Sequence, residues 1–128
     1  MYAIHHVQVA APFGCELQAR EFYGGLLGLQ EIAKLGATKS TGGLWFQAQN
    51  IEVHIGVDAD FRPARKAHVA FETTLSGLHS LAQLLQSQDY HVRWDEKIPT
   101  ITRFFTNDPF LIVLFAERRR LFTSRDAA

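Results

Sequence analysis

One short pattern occurs twice in the chain and decides its organisation. Residues 5–10 are HHVQVA and residues 67–72 are AHVAFE, so that His6 aligns with His68. In each copy, β-branched or aromatic residues recur at every second position, which predicts a strand. The repetition indicates that the two halves of the chain fold in the same way.

Each copy of the pattern precedes the same series of predicted elements. The spacing of apolar residues predicts helices over residues 16–27 and 75–88. In the second helix, one side is expected to carry Leu78, Leu81, Leu84 and Leu85. Three strands are predicted after each helix, over residues 29–35, 44–48 and 51–57 and over residues 91–96, 102–106 and 111–117. The predicted order is therefore strand, helix and three strands, twice.

The two repeats span about residues 1–58 and 64–118, and the charged, proline-containing segment DADFRPARK joins them. A repeat of about 60 residues makes only a marginal core by itself. We therefore predict a single α+β domain over residues 1–128, in which the two repeats pack together.

The composition excludes several kinds of partner. Lys and Arg together number 13, as do Asp and Glu, so there is no broad field to attract nucleic acid or an acidic membrane. No apolar run approaches the ~20 residues that span a bilayer, and no signal peptide is expected. Cys15 is the only cysteine, which precludes an intrachain disulfide. These features predict a soluble, cytoplasmic protein.

Three histidines are predicted on the more polar faces of their strands. Side chains two residues apart share a face, so His6 lies with Gln8, and His54 lies with Glu52. His68 likewise lies opposite the apolar residues of its strand. Three neutral imidazoles and a water molecule form a known catalytic zinc arrangement. A lone strand histidine is, however, more often a hydrogen-bonded structural residue, and this alternative stays open.

The sequence resembles the vicinal oxygen chelate superfamily, which contains glyoxalase I, the extradiol dioxygenases and the bleomycin-resistance proteins. The resemblance lies in the segments HHVQVA, AREFYGGLLGL, GGLWFQ, VHIGV, KAHVAF and RFFTNDPF. It implies two βαβββ modules that form an open, barrel-like curled mixed sheet with a central cleft. It also implies a homodimer.

The resemblance further implies metal ligands in the first and last strands of each module. His6 and His68 match the first-strand positions, and His54 matches the last strand of the first module. In the second module a glutamate is expected, but aligning the strand ends puts Leu114 opposite His54 and leaves Glu117 on the other face. Zinc, nickel, manganese or iron are the candidate divalent metals. Without the carboxylate, iron-dependent dioxygenation is less expected.

Two functions are consistent with this sequence. The first is a glyoxalase- or dioxygenase-like enzyme, such as a metal-dependent lyase or isomerase, in which Glu52 is the base or a further ligand. The predicted substrate contacts are Gln8, Trp45, Arg103 and Leu114. The second is a metal-free, bleomycin-resistance-like protein that binds a small molecule, which an apolar residue at position 114 favours.

Overall fold

Each repeat of the sequence folds into its own four-stranded mixed sheet. The structure is a computed structural model and describes residues 1–119. Contacts divide the chain into two units. The first comprises Met1–Arg65 and Asp108–Ile112, and the second comprises Lys66–Asn107 and the described residues from Val113 onwards. No helix in this part of the chain is long and apolar enough to cross a membrane.

The first unit contains four strands and a helical segment that changes its winding. Its strands pair in the order β1-β4-β3-β2, and β1 is parallel to β4. The elements are β1 (His6–Ala11), α1 (Glu16–Ala19), a π-helix (Arg20–Leu26), β2 (Gln30–Ile32), a 3-10 helix (Gly36–Ser40), β3 (Leu44–Gln47) and β4 (Glu52–Val57).

The second unit repeats this arrangement. Its strands pair in the order β5-β8-β7-β6, and β5 is parallel to β8. The elements are β5 (Val69–Glu72), α2 (Leu75–Ser87), β6 (Arg93–Asp95), β7 (Ile101–Asn107) and β8 (Val113–Arg119). The predicted α+β class and the two βαβββ modules are therefore confirmed.

The core of the first unit follows from strand alternation. Val9, Val53 and Phe46 point to one side of the sheet and are buried, as are Phe22 and Tyr23 of the helical segment. Burial of such large apolar side chains is the main force that holds the helical segment against the sheet.

A glycine permits the close approach of β3 and β4. Gly43 has a φ of +83°, and a Cβ there would lie 2.1 Å from the backbone oxygen of Ile55. Both the left-handed backbone and the missing side chain are therefore required where β3 begins.

The helix α2 starts at a side-chain cap and buries a narrower stripe than predicted. The Thr74 hydroxyl accepts a hydrogen bond from the Gly77 N–H at 3.1 Å. Leu78, Ala82 and Leu85 are its buried residues. Leu84 is 41% exposed, so its predicted place on the packed side was wrong. Ala82 completes the i, i+4, i+7 spacing instead.

The turn before β8 is longer than predicted, because a buried carboxylate organises it. Asp108 Oδ1 accepts the N–H groups of Phe110 and Ile112 at 2.8 and 3.0 Å. Tyr23 donates its hydroxyl to Asp108 Oδ2 at 2.6 Å. Leu111 adopts a φ of +68°, unusual for a side chain of its size. The strand therefore begins at Val113, two residues later than expected.

Removal of a buried hydroxyl group should stabilise the second unit. The Thr106 hydroxyl has no hydrogen-bond partner in the described chain, and an unsatisfied buried polar group costs ~1–3 kcal/mol. We expect Thr106→Val to raise the free energy of unfolding by about 1 kcal/mol in urea titrations. The control is Thr102→Val, an exposed change on the same strand that should have little effect. Equal responses of the two variants would contradict the assignment.

The buried Asp108 predicts a specific pH dependence. Burial raises the pKa of its carboxyl group, although hydrogen bonds from Tyr23, Ile112 and Phe110 act in the opposite direction. The folded protein then binds this proton more tightly than the unfolded chain, so stability falls as pH rises through the pKa. Asp108→Asn retains an oxygen that can accept both backbone N–H groups and an amide that can reach Tyr23. From pH 3 to 7, the wild type should lose unfolding free energy relative to this variant, and the opposite slope would refute the assignment.

Candidate active site

The polar residues of the first unit lie on one face of its sheet. The strand register pairs His6 with Glu52 and Gln8 with His54, while Trp45 of β3 pairs with His54 from the other side. The opposite face carries the apolar core. The faces that alternation predicted for these residues are thus the observed ones.

His54 is held by three neighbours. Its ring is stacked between His6, at 4.3 Å between centroids and 11° between planes, and Trp45, at 4.0 Å and 4°. Its Nε2 lies 2.9 Å from Glu52 Oε1. An ionised carboxylate only accepts hydrogen bonds, so the His54 proton is on Nε2. The ring is 6% exposed and has little freedom to turn.

Glu52 is the carboxylate of this face. The hydrogen bond from His54 is the main cause that lowers the Glu52 pKa, and His5, His54 and His6 add favourable charge interactions. Glu52 is therefore ionised at neutral pH. Its Oε1 is engaged by His54, whereas its Oε2 lies 3.7 Å from His5 Nε2.

The sequence did not point to His5 as part of this group. Strict alternation would turn His5 away from His6, but β1 begins only at His6. A residue before the strand does not have to follow the alternation of side chains within it. His5 therefore turns towards His6, and the Nδ1 atoms of the two rings lie 3.1 Å apart.

The donors of the first unit do not fit a shared metal ion in this arrangement. Imidazole lone pairs lie in the ring plane, and the planes of His6 and His54 are nearly parallel. A metal about 2.0–2.1 Å from both nitrogens would have to lie in both planes. Moreover, His54 Nε2 is already bound to Glu52. Within residues 1–119, no group of three or more His, Cys, Asp or Glu side chains is arranged to hold a metal.

Gln8 extends this face next to a glycine. A Cβ on Gly56 would lie 2.7 Å from Gln8 Cδ and 2.9 Å from Gln8 Oε1. The carboxamide therefore lies over the backbone of β4, where only glycine leaves room for it.

The register of the second unit corrects the predicted position of Leu114. β5 and β8 pair Ala70 with Phe115 and Glu72 with Glu117, so Phe115 takes the place that His54 has in the first unit. The predicted alignment was wrong by one residue, and such a slip moves every side chain to the other face. Leu114 is buried on the core side, where α2 packs on this sheet.

Glu117 consequently lies on the polar face of the second unit, together with Arg103. Glu117 is 3% exposed, and its Oε2 accepts a hydrogen bond from Arg119 Nε at 2.6 Å. Arg103 Nη1 lies 4.0 Å from Glu117 Oε1, and Arg103 donates from Nε and Nη2 to Asp95 Oδ2. The guanidinium also lies 4.7 Å from the ring centroid of Phe115. Glu117 and Asp95 are thus the acidic neighbours of Arg103, and sequence reasoning did not select either as a candidate.

His68 belongs to the second unit, whereas His6 and His54 belong to the first. It lies just before β5, is exposed, and its ring centroid is 4.8 Å from that of Phe115. Its Nδ1 lies 2.9 Å from the Lys66 carbonyl oxygen, which can only accept. The proton is therefore on Nδ1, and Nε2 remains available as an acceptor.

Known structures share this fold. The chain is 41% identical to a glyoxalase family protein from Bacillus anthracis, with a TM-score of 0.87 over 94% of this chain and 97% of that one. A lactoylglutathione lyase from Agrobacterium tumefaciens has 16% identity and a TM-score of 0.70, with 91% and 92% covered. The fosfomycin resistance protein FosX from Listeria monocytogenes has 10% identity and a TM-score of 0.77, with 94% of each chain covered. These last two similarities concern the fold alone.

No protein-family model matches the chain, and no curated protein matches it. Its relatives are thus recognised from solved structures.

Removal of the Glu52 carboxylate should release the His54 ring. In the wild type, the hydrogen bond to Glu52 keeps the proton on His54 Nε2. We expect Glu52→Ala to give a mixture of the two neutral tautomers, visible as altered ring nitrogen shifts in NMR spectra. Glu21→Ala, an exposed change in the helical segment, should leave these shifts unchanged. An unchanged His54 ring in Glu52→Ala would show that the stacking alone fixes it.

Proposed function

Because the chain belongs to the glyoxalase family, and with it to the vicinal oxygen chelate superfamily, we propose that it is a small-molecule enzyme. Its acid–base group is Glu52, which His54 positions. The observation that supports this most directly is the hydrogen bond between Glu52 and His54 inside the stack of His6, His54 and Trp45. A carboxylate whose orientation is fixed by a rigid neighbour is the arrangement that proton transfer requires.

The chemistry that this pair supports is proton transfer at a carbon next to a carbonyl group. Glu52 Oε2, the oxygen that His54 does not engage, accepts the proton from that carbon. The electron pair of the broken C–H bond moves into the carbonyl system as an enolate. When that carbon carries a hydroxyl group, the hydroxyl proton moves to the enolate oxygen, and Glu52 returns its proton to the former carbonyl carbon. The product is the isomeric hydroxycarbonyl compound, and the Glu52 carboxylate is restored. General base catalysis of this kind contributes ~10²–10⁴-fold to a rate.

Three further side chains are proposed to contact the substrate. Gln8 can donate an amide N–H to the oxygen on which charge develops. Trp45 offers an aromatic ring next to His54, and Arg103 can donate a hydrogen bond to a substrate oxygen from Nη1, since its Nε and Nη2 are bound to Asp95. Leu114 is not retained in this set, because it lies on the buried face of its sheet.

A divalent metal is a separate part of the proposal, and no step above depends on it. The candidates to hold it are His6, His54 and His68, which the resemblance implies. To bind an ion together with His6, the His54 ring would have to leave its hydrogen bond with Glu52 and its stack. When bound, such an ion would polarise a carbonyl oxygen.

The second candidate function is a metal-free protein that binds an aromatic ligand. It is favoured by two half-buried aromatic rings in the second unit, those of Phe105 and Phe115. Their centroids lie 5.5 Å apart. A thermal-shift screen with and without chelator distinguishes the two functions. Ligand stabilisation that persists in chelator, without any turnover, would favour this second function.

We also propose that the protein is a homodimer, as the resemblance implies, and that it is cytoplasmic, as its composition indicates. Light scattering at micromolar concentration tests the oligomeric state, and a monomer would contradict it.

The proposed proton transfer predicts a solvent-exchange activity. With a panel of small α-hydroxycarbonyl compounds in D2O, the wild type should catalyse deuterium incorporation next to the carbonyl, measured by NMR. Glu52→Gln should reduce this rate by about 100-fold, because the amide cannot accept the proton. The control Glu21→Gln should retain the full rate. If the wild type exchanges none of these compounds, or if Glu52→Gln is fully active, the proposal is wrong.

The metal proposal predicts which histidines matter. After incubation with zinc, nickel, manganese or iron and removal of free ions, we expect one ion per chain by elemental analysis. His6→Ala and His68→Ala should each abolish uptake. Full uptake in either variant would overturn the assignment. If the wild type takes up no ion, the metal part of the proposal is wrong, whereas the proposed role of Glu52 is unaffected.

A further inference from the structure

A cavity of about 360 Å³ lies in the second unit, at the hairpin that joins β6 and β7. Its size falls within the range of small-molecule sites. All its lining residues belong to the second unit, whereas Glu52 and His54 belong to the first. The lining residues used below are His79, Trp94, Asp95, Glu96, Ile98 and Arg103.

The aromatic wall of this cavity is fixed before any ligand arrives. The Trp94 ring centroid lies 5.2 Å from that of Phe104, a buried residue of β7, in an edge-to-face arrangement. His79 of α2 lies 5.2 Å from the same indole. Trp94 is nevertheless 39% exposed, and Ile98 is 40% exposed. A rigid, accessible indole next to an aliphatic side chain binds an apolar ring at little entropic cost.

The charges of the lining favour a cation over an anion. Arg103 donates two hydrogen bonds to Asp95 and is also 4.0 Å from Glu117, so its charge is already balanced. The other oxygen of Asp95 accepts the backbone N–H of Lys97, whose side chain does not line the cavity. Glu96 is exposed, and within the described chain no hydrogen bond or ion pair engages its carboxylate.

We infer that this cavity is a second binding site, for a small aromatic amine in its protonated form. The ring of the ligand packs on Trp94 and Ile98, and its ammonium group faces the Glu96 carboxylate. The indole adds a cation–π attraction when the ammonium group lies near its face. This site is independent of the Glu52 chemistry and holds whether or not that proposal is correct.

The test uses 2-phenylethylamine as the probe and 3-phenylpropionate as its anionic counterpart of similar shape. The chain has two tryptophans, Trp45 and Trp94, whose indole N–H signals are separable by NMR and assigned with Trp94→Phe. The amine should shift the Trp94 signal saturably and leave the Trp45 signal in place. The anion should bind at least tenfold more weakly. The absence of a saturable Trp94 shift, or equal binding of both probes, would overturn the inference.

Two variants locate the charge and the ring. Glu96→Gln should weaken amine binding about threefold, the scale of an exposed ion pair, while Glu21→Gln should leave it unchanged. Trp94→Leu removes the indole but retains an apolar side chain, so binding in this variant is read from the NMR signals of the amine. Binding should be abolished while the protein spectrum stays that of a folded protein. Amine binding that survives both changes would place the probe elsewhere and contradict the site.

Discussion

The hydrogen bond from Tyr23 to Asp108 is the constraint on which the second half of the fold depends. It fixes the orientation of a buried carboxylate. The other oxygen of this carboxylate accepts hydrogen bonds from two backbone N–H groups, and the chain forms a five-residue turn around it. That turn delays the start of β8 to Val113 and sets its register against β5. The register then decides that Phe115 and Glu117, and not Leu114, share a face with Arg103. A single buried acceptor thus determines which side chains are available for chemistry.

The two polar faces balance their charges in different ways. In the first unit, one carboxylate meets imidazole groups, whose ring nitrogens can donate or accept hydrogen bonds. In the second, the carboxylates of Asp95 and Glu117 meet the guanidinium groups of Arg103 and Arg119, which hold their protons permanently. The proposed proton transfer therefore uses the first face, whereas the second offers fixed charge and aromatic surface. This division is the physical basis for locating the base at Glu52.

The sequence predicted the fold well, because a repeated order of elements leaves few alternatives. It also predicted the faces of His6, Gln8, Glu52 and His54, since each strand there alternates without interruption. It failed at Leu114, because nothing in the letters DPFLI shows that the Asp108 side chain, and not the strand, binds their N–H groups. It also missed His5, whose position outside β1 frees it from alternation. Both errors arose at strand ends, where side chains and not the sheet determine the backbone.

The contact between Gln8 and the backbone at Gly56 couples two positions in neighbouring strands. A methyl group at position 56 would occupy the space of the Gln8 carboxamide, which is flexible enough to swing away without disturbing the strand pairing. Related proteins that carry a side chain at position 56 would then hold a glutamine at position 8 in a different orientation. Substrate preference in such relatives could drift through a backbone position that never touches the substrate.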